Sequence, residues 1–536
     1  MKHKIGFFEA FSIGVGGMVG GGIFAVLGLT ILLARGAAFI AFIVAGLIAL
    51  ITSYSYAKLS VRYPSEGGTI EFIVKSFGTG LFSGWINVLL LASYIVMMGL
   101  YSYAFGSYAS ALFFGKEIII AKKLFIAGVI VFFTLINLLG AYVTGKAEDL
   151  MVFLKIIILL VFATVGFITL KTARLSPSNW APPLNIVTGG LIIFLAYEGF
   201  ELIANTAQDV VNPVETLPKA FYSAVGFVIA LYVLIAIVAV GNLTFQQVVK
   251  YKDYALAVAA EPFFGKAGFI VIGVAAVLST ASAINATLYG SGRISYLITK
   301  YGELPHTFGK RIWKGGYEGI VILGLITIVF ALTTNLENIS VAGSLGFLIV
   351  FGLVNLANFK LHKFTDSNKW VSLIGFVLCL ISAGVLVGYN LKKNPSSLES
   401  AFIFITASFL FEVIYEALSG RKLRYYVDWK LEEREHFIKG IERFFPSILR
   451  GIRREVKDGE VYMIHHLAKG EREKASTVDL VVFTNKKMSE EEKQKTVEKI
   501  MKHAHLKDYH PVNIEIHHTT EKSKVQTEHK EMKEVK

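Results

Sequence analysis

Apolar runs of about twenty residues recur along this chain from residue 6 to residue 418, and that recurrence decides its solvent. A helix of about twenty apolar residues spans the hydrocarbon core of a bilayer. A soluble chain with so many such runs would have too little polar surface to stay in solution. Charged residues make up only 17% of the sequence, against roughly 25% in soluble domains. Twelve spans can be drawn, over residues 6–34, 37–58, 80–113, 123–143, 148–171, 186–207, 218–241, 264–297, 318–334, 338–358, 369–390 and 399–419. The expectation is an all-α polytopic membrane protein with 12 transmembrane helices over residues 1–420 and a small cytoplasmic α/β region after it.

Charge and cysteine content exclude several classes. The net charge is +13, but the surplus is spread. The spans and their loops hold 27 Lys+Arg against 19 Asp+Glu, and residues 421–536 hold 26 against 21. Basic residues flanking spans follow the positive-inside pattern, so no nucleic-acid partner is expected. With an even number of spans both termini share one side, whose loops between residues 1 and 420 carry 11 Lys+Arg against 8 opposite. That bias predicts cytoplasmic termini in a multi-pass protein of the cell membrane. Cys379 is the only cysteine, which rules out an intrachain disulfide and a cysteine metal cluster. The apolar stretch after "MKHK" is too long for a signal-peptide core and reads as the first span.

The segment "SIGVGGMVGGGIF" (12–24) places six glycines within nine positions of that span. Glycine inside a helix costs about 0.5–1 kcal/mol relative to alanine. No proline falls deep inside a span, so any helix break must come from glycine. A second candidate break lies in the sixth span, "FLAYEGFELIANTAQ" (194–208). Interrupted helices in corresponding positions of two halves point to a midplane binding site. Unwound backbone is tolerated there when it lines a cavity and meets a ligand, and a half-helix N-terminus suits a carboxylate. The alternative is close packing through Gly16 and Gly20. Packing needs one glycine face, and this cluster covers all faces, so the expectation is a broken first helix and a broken sixth.

Three of the ionisable residues inside spans bear on a binding site. Lys155 sits near the middle of the fifth, nine residues from Lys146, or roughly 13 Å of helix. Its ammonium cannot snorkel that far, and charge at a helix centre costs about 2.5–3.5 kcal/mol on insertion scales. Burial suits a lysine that takes and releases a proton. Glu198 and Glu201 are three apart and share a face on an intact helix. A carboxylate in a binding pocket would favour substrates with an amine or would titrate with transport.

Four stretches together resemble the amino acid–polyamine–organocation (APC) transporters: "GVGGMVGGGIF", "YPSEGGTIEFIVKSFG" (63–78), "FLAYEGFELIANTAQDVVNPVETLPKAF" (194–221) and "NATLYGSGRISYLITKYGELP" (285–305). They cover roughly residues 6–420 in the family's order, and the nearest likeness is to archaeal proton-coupled amino acid permeases. The resemblance implies a LeuT-like 5+5 inverted repeat with two peripheral helices. It implies that Gly20, Gly21 and Gly22 offer N–H groups to a substrate carboxylate, and that Met18 and Ile23 offer carbonyls to its ammonium. Leu195, Tyr197 and Glu198 would complete the pocket. Lys155 would stand where sodium-coupled relatives bind the ion, contacting Gly16 and the Ser279–Thr280 region, with Glu201 as a second proton-coupling group. Gln208-Asp209 departs from the family's acidic pair, and Glu198 is an uncommon pocket residue.

The remainder divides into an amphipathic basic helix (421–456), a small α/β region (457–521) and a tail read as disordered (522–536). "VYMIHHLAKGEREKASTVDLVV" weakly resembles the core of minimal nucleotidyltransferases. Thr477 stands where that family has a metal-binding acid, which implies a catalytically dead copy. His465, His466, His517 and His518 read as polar strand ends rather than metal ligands. The function expected is proton-coupled amino acid uptake by alternating access, with substrate, proton and lipid bilayer as partners and a nucleotide or protein as possible tail ligand. It needs no cofactor, metal or catalytic residue. An exchanger or potassium or polyamine carrier on the same fold, a membrane sensor signalling through its tail, and a nucleotide-transferring enzyme are the alternatives. Substrate identity and oligomeric state stay open.

Overall fold

The computed structural model describes residues 5–138, 145–312, 316–419, 448–458, 460–464, 478–503, 512–522, 525 and 532–534. Its helices follow the apolar runs: α1 (Phe7–Ala34), α2 (Ala38–Arg62), α3 (Leu81–Phe114), α4 (Ile119–Leu138), α5 (Gly145–Gly166), α6 (Pro183–Asp209), α7 (Pro213–Asn242), α8 (Glu261–Lys300), α9 (Glu318–Thr333), α10 (Leu336–Lys360), α11 (Lys369–Lys393) and α12 (Pro395–Ser419). Among the described residues ten of these are long and apolar enough to cross a membrane, and Val152–Gly166 and Glu318–Thr333 are shorter apolar helices.

A helix that is apolar all round belongs in the interior or against lipid, and burial decides which. The most apolar windows of α1, α6 and α10 are 83%, 89% and 83% buried, while those of α4, α11 and α12 are 22%, 28% and 17% buried. The first three form the centre and the last three face outward.

Short helices close the two ends of this bundle. Thr69–Phe77 follows α2 and buries Ile70, Phe72 and Ile73. Between α7 and α8 the chain forms Phe245–Tyr251, Lys252–Tyr254 and Ala255–Ala259, and the carbonyl of Lys252 lies where a Cβ on Gly28 of α1 would stand. Lys122 of α4 binds Asp253 of this segment at 3.1 Å and Glu117 at 3.0 Å, under the Tyr103 ring.

The first helix corrects the expected break. Phe7–Ala34 is α-helical throughout its 28 residues, glycines included. α6 does change. It is α-helical from Pro183 to Ile192 and then a 3-10 helix for the 16 residues Phe194–Asp209. Runs beyond three or four residues are uncommon for that winding and mark functional hinges.

After the spans, residues 448–455 are helical, and β3 (Glu460–Ile464), β4 (Val478–Thr484), α14 (Glu490–His503), β5 (Val512–His518) and β6 (Met532–Glu534) follow; the helix 448–455 is α13, and two short strands, β1 (Arg311–Ile312) and β2 (Gly316–Tyr317), pair before α9. The sheet order is β5-β4-β3-β6, with β4 and β5 parallel and the other pairs antiparallel. Residues 532–534, expected in a disordered tail, pair with β3 instead. Strand pairing uses backbone groups that every residue but proline carries, so sequence polarity did not exclude it. The expected amphipathic helix lies mostly outside the described residues, as do His465, His466 and Thr477.

Candidate functional site

The glycines of α1 are explained by what surrounds them. A Cβ on Gly16 would stand 2.8 Å from Val152 of α5, and one on Gly20 would stand 2.9 Å from Ala283 of α8. The Tyr101 ring of α3 occupies the space beside Gly21, and Ala196 of α6 and the Tyr232 hydroxyl of α7 lie 2.9 and 3.0 Å from a Cβ on Gly22. Gly17 meets Gly199 of α6 backbone to backbone. Five helices therefore press on α1 from different sides, which is why the glycines cover all its faces. Packing, the alternative set aside on sequence grounds, accounts for the pattern.

These contacts bring hydrogen-bond donors to the carbonyls of the same stretch. Lys155 Nζ donates to Gly16 O at 3.1 Å, and the Tyr232 hydroxyl donates to Met18 O at 2.6 Å. Ser279 donates to Val19 O at 3.0 Å and also to Gly20 O. The Met18 carbonyl is thus taken by Tyr232.

A cavity of about 40 Å³ lies between α1, α3, α5, α6 and α8, bounded by Gly16, Gly17, Tyr94, Tyr101, Lys155 and Glu198, with Ser282 and Thr287 on its α8 side. It holds a water or two, since water takes about 30 Å³ in the liquid, and is too small for an amino acid. Glu198 is buried, and its Oε2 has no hydrogen-bond partner among the described residues. A buried unsatisfied carboxylate oxygen is costly, and this one lies at the cavity wall.

Glu201, one 3-10 turn along, is fully engaged. Tyr94 donates to Oε1, while Thr69 at 3.1 Å and Tyr56 at 3.2 Å donate to Oε2. Tyr94 lines the same cavity as Glu198 and bonds Glu201. In a 3-10 helix residues i and i+3 eclipse, and this winding places Glu198 and Glu201 along one line.

The other expected pocket residues turn elsewhere. Tyr197 donates to Phe42 O of α2 at 3.0 Å and packs on Tyr232, with ring centroids 5.2 Å apart. Leu195 packs against Gly343 of α10. Ile23 is buried in the core. Thr280 bonds Ala276 O of its own helix at 2.7 Å, while Ser279 is the α8 hydroxyl that bonds α1. The sequence reading missed Tyr94, Tyr101, Ser282 and Thr287. Two tyrosines seven residues apart lie on one helix face, and that spacing was a usable signal.

On the face nearest residue 5, the ion pair Arg293–Glu66 at 2.5 Å and the Tyr301–Glu71 hydrogen bond at 2.6 Å close the bundle.

Residues 5–411 match the profile of the family described as amino acid permease. The chain is 32% identical over 422 residues to an uncharacterized protein of Methanocaldococcus jannaschii, covering 78% of this chain and 97% of that one. It is 33% identical over 425 residues to the inner membrane transport protein YbaT of Escherichia coli, again covering 78% and 97%. It is 27% identical to the branched-chain amino acid permease BcaP of Bacillus subtilis, covering 68% and 82%. A crystal structure of a variant of the Eremococcus coleocola manganese transporter superposes with a TM-score of 0.50 at 14% identity, over 77% of this chain and 95% of that one, and shares the fold. Matched by the family profile over most of its length and by transporter relatives over most of theirs, this chain is a membrane transporter, not an enzyme, and it belongs to the amino acid permease family.

Proposed function

We propose that the protein is a proton-coupled amino acid symporter of the cell membrane. Its twelve helices would act as a 5+5 inverted repeat with two peripheral helices, its termini cytoplasmic. The observation that carries this reading is the convergence of Lys155, the Gly16 carbonyl and Glu198 on one cavity inside the helical bundle. A lysine and a carboxylate across a small cavity can bind a zwitterion or exchange a proton, and no resident sodium ion is needed to balance charge.

The substrate would lie between the glycine stretch Gly20–Gly22 and Glu198, with Glu198 taking its ammonium. The cavity must enlarge for this, and withdrawal of the Tyr101 ring from Gly21 is the shortest route. Glu201 would hold the inner side closed through Tyr56, Thr69 and Tyr94, and would be released as the substrate passes. Met18, Ile23, Leu195 and Tyr197 would shape this region from behind, and Ser279 would steady α1, with Thr280 beside it. Alternating access requires that substrate and proton bind the two end states unequally. The tail would tune this equilibrium, a role supported by the 3.1 Å ion pair from Arg450 of α13 to Glu215 at the start of α7.

The test is amino acid uptake into proteoliposomes with proton and sodium gradients varied separately. Uptake is expected to follow an inward proton gradient without sodium. Lys155→Ala is expected to abolish accumulation above equilibrium while the protein still purifies as a single species. Strict sodium dependence, or wild-type accumulation by Lys155→Ala, would overturn proton coupling through this residue.

A further inference from the structure

The sheet after the spans carries a pocket that the family match, which ends at residue 411, does not reach. β4 and β5 run parallel in register, from Val478 opposite Val512 to Thr484 opposite His518, so both end at the same edge. In open α/β sheets ligands sit outside the carboxyl ends of parallel strands, beside the start of the connecting helix. At that edge lies a pocket of about 380 Å³, lined by Thr484, Lys486, Lys487, Lys493, His517 and His518.

Its rim is fixed. Asp458 accepts the Thr484 hydroxyl at 2.8 Å and the Asn485 amide at 2.7 Å. These bonds hold its carboxyl below the usual range. His518 Nε2 lies 3.1 Å from Asn485 O, and the Thr519 hydroxyl donates to Thr484 O at 3.1 Å. The loop that presents Lys486 and Lys487 is therefore held just before both lysines.

Its charge is positive. Lys486 and Lys487 are exposed and, among the described residues, have no carboxylate within ion-pair distance. At the start of α14, Glu490 pairs with the lining Lys493 at 2.7 Å, Glu491 with Lys495 off the lining at 2.6 Å, and Glu492 accepts the Ser489 amide at 2.9 Å, so the cations the pocket offers a ligand are Lys486 and Lys487. Glu521 is the one carboxylate on the lining, 3.3 Å from His517, which Glu515 flanks at the same distance. Two exposed lysines at the mouth of the pocket, without an ion-pair partner among the described residues, suit an anion. The volume falls within the roughly 300–1,000 Å³ of small-molecule sites, larger than inorganic phosphate needs.

We propose that this pocket binds a phosphate monoester of mononucleotide or sugar-phosphate size, with the phosphate on Lys486 and Lys487 and the body of the ester filling the rest of the pocket. Nothing in this placement depends on which solute the spans carry.

The test uses the full chain in phosphatidylcholine nanodiscs and calorimetric titration with AMP, glucose 6-phosphate, adenosine and inorganic phosphate. At least one of the two esters is expected to bind at least tenfold more tightly than adenosine or inorganic phosphate. The double variant Lys486→Gln/Lys487→Gln is expected to weaken it by about tenfold or more per lysine, the range for hydrogen bonds to charged groups. Both side chains are exposed, so the fold is retained. Lys495→Gln, which lies off the lining, is expected to leave affinity unchanged. Discs containing phosphatidic acid distinguish the source: competition with the soluble ester identifies the same phosphate chemistry on a lipid headgroup, and no competition identifies a soluble ligand. Failure of both esters to bind, binding unchanged in the double variant, or inorganic phosphate binding as tightly as the esters would overturn the proposal.

Discussion

α1 and α6 cross where neither has a side chain, Gly17 of one lying on Gly199 of the other. On one side of that contact a 28-residue α-helix runs through six glycines without interruption. On the other, an α-helix changes to 3-10 winding after Ile192 and keeps it for 16 residues. Glycine content does not explain the difference, since Gly199 is the one glycine in Phe194–Asp209. Neighbours explain it. α1 is held by five helices that fill the space each missing side chain leaves, and α-helical backbone is compatible with all of them. α6 carries two carboxylates that must reach one cavity wall and one set of tyrosines. The tighter winding stacks Glu198 and Glu201, where α-helical pitch would rotate them apart by about 60°.

The sharpest way to break this account is at the crossing. A Cβ on Gly199 would overlap the backbone of Gly17 and Met18, which cannot rotate away. Gly199→Leu is expected to cost about 3 kcal/mol or more, the upper range for overpacking. The measurement is loss of the monodisperse species on heating, followed by size-exclusion chromatography. Gly128→Leu in α4 is the control, because nothing lies within 4 Å of its Cβ position. Its melting temperature is expected to match or exceed wild type, as glycine is about 1 kcal/mol poorer than alanine in a helix. Equal losses at the two sites would mean that the crossing is not a packing contact.

Next comes the role of the glycines in α1. If Gly21 exists to make room for the Tyr101 ring, the two positions must be energetically coupled. A double-mutant cycle on Gly21→Ala and Tyr101→Ala is expected to give a coupling of about 1 kcal/mol or more in thermal stability, within the usual range for residues in contact. If Gly21 is instead required for an opened backbone, alanine there harms the protein equally with or without the ring, and the coupling is near zero.

These two tests also locate what the sequence made legible. Lengths and hydropathy marked the spans, because a bilayer demands about twenty apolar residues regardless of what packs around them. The likeness of "GVGGMVGGGIF" and "FLAYEGFELIANTAQ" to the transporter family placed the two crossing segments, and charge inside apolar spans singled out Lys155 and Glu198, which line one cavity. The winding of each segment was not legible, since it follows from partners hundreds of residues away, such as Ala283 against Gly20. The same limit hid the hydrogen-bond partners of Tyr197 and Thr280. Sequence order shows that a tyrosine flanks Glu198, but not that its hydroxyl finds Phe42 O.

The Tyr197 placement gives a third test, smaller in effect. Tyr197→Phe removes one buried hydrogen bond to α2 and is expected to cost about 1 kcal/mol of stability with the KM for uptake unchanged. Glu198→Gln is expected to raise KM or shift the pH dependence of uptake, because its carboxylate faces the cavity. A KM change in Tyr197→Phe as large as that in Glu198→Gln would return the tyrosine to the pocket.

The smallest effect separates Ser279 from Thr280. Both are hydroxyls on α8 within reach of the glycine stretch by sequence alone. Ser279 donates across to Val19 O and Gly20 O of α1, while Thr280 donates back to Ala276 O of its own helix. Removing a hydroxyl that links two helices loses an intermolecular-style bond worth about 1 kcal/mol and frees a carbonyl in α1. Removing one that only bonds back within its helix trades a weak, locally compensated interaction for an isosteric methyl. Ser279→Ala is therefore expected to lower stability by about 1 kcal/mol, and Thr280→Val is expected to stay within about 0.5 kcal/mol of wild type. Both are read from thermal unfolding of the protein in detergent. If Thr280→Val is the more damaging of the two, and abolishes proton-driven accumulation as Lys155→Ala is expected to do, then Thr280 belongs beside the lysine and α1 is held by a different residue from the one its carbonyl geometry indicates.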